Sequence, residues 1–181
     1  MTTVSYEVFL PDVMQYCPDV ADFVALNAIK QSCIEFCERT RFLQTDLDPI
    51  TGIAGVSNYE IGVDNGTKFV DIVEAWYNDV LLIPKSVEEI TRIYRRSDWR
   101  DLQGGPVYLT REIPTEVILV PAPKETIARA LTMRVAVAPT RASTTVDSSI
   151  YEEYYEIICF GARARIYDTP KQSYYDRDAA M

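Results

Sequence analysis

With 181 residues, 48% apolar and 25% charged, the chain has the composition of a globular protein and enough length to bury a core without disulfide or metal staples. Eighteen basic side chains against 27 acidic ones leave a net charge of −9, which argues against sequence-independent nucleic-acid binding, whose affinity comes from neutralising phosphates. Histidine is absent altogether, and with it the most common general base and metal ligand.

Residues 1–18 carry Pro11 and Pro18 with apolar residues between them and read as an extended arm. The opening "MTTVSYEVFLPDV" lacks a basic region followed by an apolar run, so no secretory signal is expected, and no stretch reaches the ~18 apolar residues of a membrane span. Residues 19–43 read as the first helix, with Asp19 as its N-cap. Phe23, Leu26, Ile29, Cys33, Phe36, Cys37 and Thr40 recur at helical steps and predict one wide buried face. Cys33 and Cys37 lie within that stripe, where a reduced thiol acts as a small apolar group. Cys17 and Cys159 stand alone, so neither a zinc set nor an activated nucleophile is expected.

Residues 43–56, with Pro49, Gly52 and Gly55, read as a long connection. Residues 57–140 read as mainly β. Asn65-Gly66 between "NYEIGV" and "KFVDIVEAWY" predicts a hairpin, Asn78-Asp79 before "VLLI" a weaker second one, and together they predict a meander. Ser86 and Glu89 have capping-box spacing and open a short helix over 86–96. Trp99 falls in a loop broken by Gly104-Gly105-Pro106; strands resume with "PVYLT", "EVILVPAP" and "IARALTMRVAVAP", the last alternating Leu131, Met133, Val135 and Val137 against Thr132, Arg134 and Ala136. Residues 148–168 form the last helix, with Ser149 and Glu152 at capping-box spacing and Ile150, Tyr154, Ile157, Gly161 and Ala164 as its apolar stripe. Residues 169–181 are a polar tail containing Tyr174, Tyr175 and Arg177.

Two constellations invite chemistry. Glu88, Glu89, Glu152, Glu153 and Glu156 could be read as acid/base groups, but acidic residues are expected in first helical turns for capping and dipole reasons. "TRIYRRSDWR" gathers Arg92, Arg95, Arg96 and Arg100 around Tyr94 and Trp99; it reads as a phosphate grip, as a solvated salt-linked face, or as a protein interface, since Arg, Tyr and Trp are the residues enriched at interface hot spots. Tyr174 and Tyr175 are adjacent anchors suited to a partner's groove. No phosphate loop or serine elbow occurs, and no cofactor or metal is expected.

Several phrases, in order, resemble the portal adaptor proteins of tailed bacteriophages, also called head-to-tail connector or neck proteins. They are "LPDVMQYCPDVADFVALNAIKQSCIEFCERT", "VEAWYNDVLLIPKSVEEI", "DWRDLQGGPVYLT", "ILVPAP", "MRVAVAPTRAST" and "EEYYEIICFGARARIYDTP", spanning about residues 10 to 170. The resemblance implies a virion structural protein of the neck, made in the host cytoplasm and acting without catalysis. Its subunits would form a ring, commonly of twelve, that connects the portal to tail or nozzle proteins and extends the channel through which double-stranded DNA passes. The segment from Asp168 to Met181 would then engage the portal. An acidic wall suits that passage, because repulsion prevents DNA from sticking. The expected fold is α+β, a helical bundle of long N- and C-terminal helices plus a short middle helix, joined to an antiparallel β-sheet domain. Arg92, Arg95, Arg96, Trp99, Arg100, Tyr174, Tyr175 and Arg177 are the expected portal or subunit interface. The residues alone leave two alternatives open: a peptide- or protein-binding module built on the β meander, and a small hydrolase or thiol enzyme using Glu88, Glu89 or Cys37.

Overall fold

The structure, a computed structural model, describes residues 2–95, 98–170, 174–176 and 178. In chain order it forms β1 (Thr3–Ser5), a 3₁₀ turn (Tyr6–Phe9), α1 (Leu10–Tyr16), α2 (Asp22–Thr40), β2 (Gln44–Asp46), β3 (Ile50–Gly52), β4 (Asn58–Glu60), β5 (Thr67–Tyr77), β6 (Val80–Leu81) and β7 (Ile83–Pro84). There follow α3 (Val87–Tyr94), a second 3₁₀ turn (Trp99–Asp101), β8 (Gln103–Gly104), β9 (Tyr108–Thr110), β10 (Glu116–Val120), β11 (Ala122–Pro123), β12 (Ile127–Pro139), β13 (Thr145–Asp147) and α4 (Ser148–Tyr167). The chain divides into a helical unit (1–42, 66–68 and 138–181) and a β unit (43–65 and 69–137).

This corrects the expected architecture. A helical bundle joined to one antiparallel sheet domain is not what forms: among the described residues, four α-helices accompany thirteen strands spread over four sheets, two of which contain parallel pairs. The chain is α+β only in the broad sense, and rich in β. Helical periodicity reveals helices one at a time, but strand partners are chosen by residues far apart in sequence, and many of these strands span only two or three residues.

In the helical unit, the stretch expected as an arm is structured. Val4 pairs with Val146 in the β1–β13 ladder, the Ser5 hydroxyl accepts from the Glu7 N–H, and α1 starts with Pro11 in its first turn. Proline is tolerated there because that N–H has no intrahelical partner anyway. Phe9, fully buried, stacks on Tyr155 at 5.3 Å and meets Tyr151 edge-on at 5.6 Å. The N-cap of α2 is Ala21, with no side-chain bond, in place of Asp19. Ile29, Cys33, Cys37, Ile158, Cys159, Ala162 and Ile166 are buried in this unit.

On α4 the cap is the Asp147 carboxylate, which accepts from the Ser149 N–H at 2.9 Å; the Ser149–Glu152 box does not form. Tyr154 leaves helical geometry (φ −126°, ψ 17°) and re-phases the helix beyond it. The buried positions become Ile158, Ala162 and Ile166, one or two residues later than the expected Ile157, Gly161 and Ala164. Gly161 still permits a close approach: the Ser32 hydroxyl of α2 donates to the Ile158 carbonyl at 3.1 Å, where a Cβ on residue 161 would collide with it.

Asn65-Gly66 does turn, with Gly66 at φ 85°, but β4 and β5 belong to different sheets, so the expected first hairpin and the meander are absent. Asn78-Asp79, both at positive φ, closes the hairpin of β5 with β6. The strand expected over "IARALTMRVAVAP" is β12, which pairs with β2 and β3 and shifts register between Ile127 and Leu131, where Arg129 has φ 56°. The other large sheet runs β4-β10-β9-β7, with β7 and β9 parallel. A parallel pair needs a long crossover, and here the crossover contains α3. Its capping box forms as expected, and Ile90 packs beneath it on Ile118 and Val120.

Candidate interaction surfaces

The basic and aromatic stretch of the β unit is divided by the structure into a buried part and an exposed part. Trp99 is only 1% exposed and completes the core cluster of Ile90, Ile118 and Val120; its indole N–H donates to the Thr91 hydroxyl at 3.1 Å. Trp99 was expected in a loop and at a portal or subunit interface, yet the 3₁₀ turn tucks the ring under α3. Arg100 lies over the ring with its guanidinium 4.3 Å from the centroid and forms an ion pair with Glu112. Arg92, in the last turn of α3, and Arg95, which ends the helix in the left-handed region at φ 52°, are exposed beside Ile93. Arg96 lies outside the described residues.

In the helical unit, Tyr174 is half-buried and Tyr175 exposed, while Arg177 lies outside the described residues. The Asp176 N–H donates to the Tyr167 carbonyl at 3.1 Å, joining this stretch to the end of α4.

The groups once open to a catalytic reading are in structural use. Glu89 accepts from the Lys85 ammonium at 2.8 Å and from the Ser86 N–H at 3.0 Å, and these partners hold its carboxyl below the usual range. Glu88 is lowered too, first by its own backbone N–H and then by the Ser86 hydroxyl. Both are therefore fixed as anions, which suits helix capping and makes them poor proton donors at neutral pH. Burial pushes the Cys37 thiol up to about 12, reinforced by Glu38, and Cys33 is raised by the same cause. A thiol held protonated in an apolar core is a poor nucleophile.

Sequence periodicity missed the exposed apolar side chains. Phe23, expected inside the α2 stripe, is 74% exposed. Tyr16, Ile157 and Phe160 are exposed as well, and the Arg163 guanidinium lies 4.2 Å from the Tyr16 ring and 4.4 Å from the Phe160 ring. In the β unit, Val80 and Leu81 are exposed on the edge strand β6, and Ile83 on the edge strand β7. The Phe160–Arg163 spacing of i, i+3 was a usable signal for a surface stack; nothing local marked Phe23. What the arrangement offers chemically is contact: aromatic and aliphatic groups beside guanidinium donors, on both units. Among the described residues, no helix is long and apolar enough to cross a membrane.

A family model described as SU10 adaptor protein matches residues 5–181. A search of curated proteins found no match.

Proposed function

The chain belongs to the SU10 adaptor protein family and is thus a phage structural adaptor, a virion component of the head-to-tail region, and from this premise we propose that it joins the portal to the tail as a ring-forming subunit. The family match over nearly the whole chain carries the reading. In this role the chain works by fitting into neighbours: copies of itself, the portal above, and tail or nozzle proteins below. Twelve copies are the expected number in the ring. Double-stranded DNA passes through the channel without being gripped, because a chain of net charge −9 repels phosphates on average. The exposed Arg92, Arg95, Tyr175, Phe23 and Phe160 support this reading, as aromatic and arginine side chains are the usual anchors of protein interfaces.

Light scattering of the purified chain with and without purified portal tests the proposal. The expected result is a small species alone and a large ring with the portal, visible as density between capsid and tail in micrographs of the virion. A mass unaltered by portal, together with particles that lack the chain at the neck, would sink it.

A further inference from the structure

The outer face of α4 is unusual for a surface helix. Its inner face is filled by Ile158, Cys159, Ala162 and Ile166, all buried. The opposite face shows Glu156, Ile157, Phe160 and Arg163, of which Ile157 is 54% and Phe160 62% exposed. At 100° per residue, the four positions beyond the Tyr154 irregularity fall within about one-third of the helix circumference, so they form one stripe. Arg163 is set by its stack between Tyr16 and Phe160, and the Tyr167 hydroxyl secures that arrangement by donating to the Tyr16 carbonyl at 3.0 Å. Its charge is thus presented on a rigid aromatic platform.

The stripe is also ordered along its length: acidic first, apolar in the middle, basic last. Glu156 directly precedes Ile157 and Arg163 follows Phe160 by three residues, so the opposite charges lie on either side of the apolar centre. We propose that this face is a self-complementary docking surface for a second copy of the chain, with the two α4 helices antiparallel and Ile157 and Phe160 at the twofold axis. In that arrangement Glu156 of one copy comes within reach of Arg163 of the other, and the same contact is made twice, as an isologous interface requires. A parallel pairing would place carboxylates against carboxylates and is disfavoured. One face of a helix about 30 Å long lies near or below the ~1,000 Å² of a stable interface. The association is therefore weak and reversible, a property of the free chain that does not depend on its place in the virion.

Sedimentation of the full-length chain, from ~10 μM to ~1 mM, reads the equilibrium directly. A concentration-dependent monomer–dimer exchange is expected. Phe160→Ser and Arg163→Glu, both surface changes checked by unaltered thermal melting, each raise the dissociation constant by about tenfold or more. Adding Glu156→Arg to Arg163→Glu exchanges the charges and restores affinity to within about threefold of the original. A chain that stays monomeric throughout, variants that dimerise as the parent does, or a charge exchange without rescue would each overturn the proposal. So would two further results: larger rings in place of dimers, meaning a head-to-tail contact, or a monomeric chain whose Phe160→Ser variant fails only to enter particles, meaning that another virion protein covers the face. Each of these leaves the adaptor reading to be judged separately, by density at the particle neck.

Discussion

Gly161 shows how one hydrogen atom decides a packing contact. The Ser32 hydroxyl sits where a Cβ on residue 161 would be, and it is held there by the Ile158 carbonyl. Two effects oppose each other in Gly161→Ala. Helix propensity favours alanine by roughly 1 kcal/mol. Forcing the buried Ser32 hydroxyl off its acceptor costs about 1–3 kcal/mol for an orphaned polar group, and overpacking adds to it. The loss should win by about 1 kcal/mol, read as a lower urea midpoint. In a Ser32→Ala background the colliding oxygen is gone, and the same glycine substitution should become neutral or stabilising. A destabilisation of equal size in both backgrounds would show that the hydroxyl is not the cause. The cysteines make a related point: Cys33, Cys37 and Cys159 are fully buried, and the stripe position that suggested burial for Cys33 and Cys37 was sufficient evidence of it.

Among elements, the two candidate hairpins invert the sequence expectation. Asn65-Gly66 is the stronger local signal, yet the strands on either side of it belong to different sheets. Asn78-Asp79 is the weaker signal and closes a true hairpin, with φ of 48° and 65° at its two central residues. Aspartate bears the steric cost of positive φ that glycine avoids, so Asp79→Gly should raise stability by about 0.5–1 kcal/mol, measured as an upward shift in thermal midpoint. A downward shift would mean that the Asp79 side chain stabilises the turn in a way its backbone does not reveal. The α3 capping box, in contrast, was fully legible, because Ser86 and Glu89 are three residues apart and satisfy each other's neighbours without help from the rest of the fold. The stripe of α4 was legible only up to Tyr154, since a single non-helical residue moves every later side chain to a different face.

For the molecule as a whole, the tail offers the sharpest prediction. Residues 171–181 are mostly polar, and the side chains described among them, Tyr174, Tyr175, Asp176 and Asp178, are half-buried or exposed. Deleting them should leave the thermal midpoint of the free chain within about 2 °C of the parent while weakening portal capture in a pull-down at least about tenfold. Undiminished capture would move the portal contact elsewhere, with the exposed Arg92 and Arg95 of the β unit next to be tested. Trp99 is removed from that list, since a ring 1% exposed in the core contributes to stability and is not accessible to a partner.

From its sequence alone, this chain specified what depends on near neighbours: three of its helices, the cap of α3, the alternation of β12, and the inward placement of Cys33 and Cys37. Ordered phrases along it also pointed to phage portal adaptors, and the family match bears out the coarser part of that reading, a phage adaptor protein. Tertiary structure decided the partners of its strands, the burial of Trp99, the helical course of Tyr6–Tyr16 within the expected arm and the exposure of Phe23, Ile157 and Phe160. The reason is range: a helical turn or a cap is settled within four residues by bonds the segment makes to itself. A sheet edge or a bare aromatic face is settled by whichever distant segment arrives to cover it, and no local pattern records that arrival.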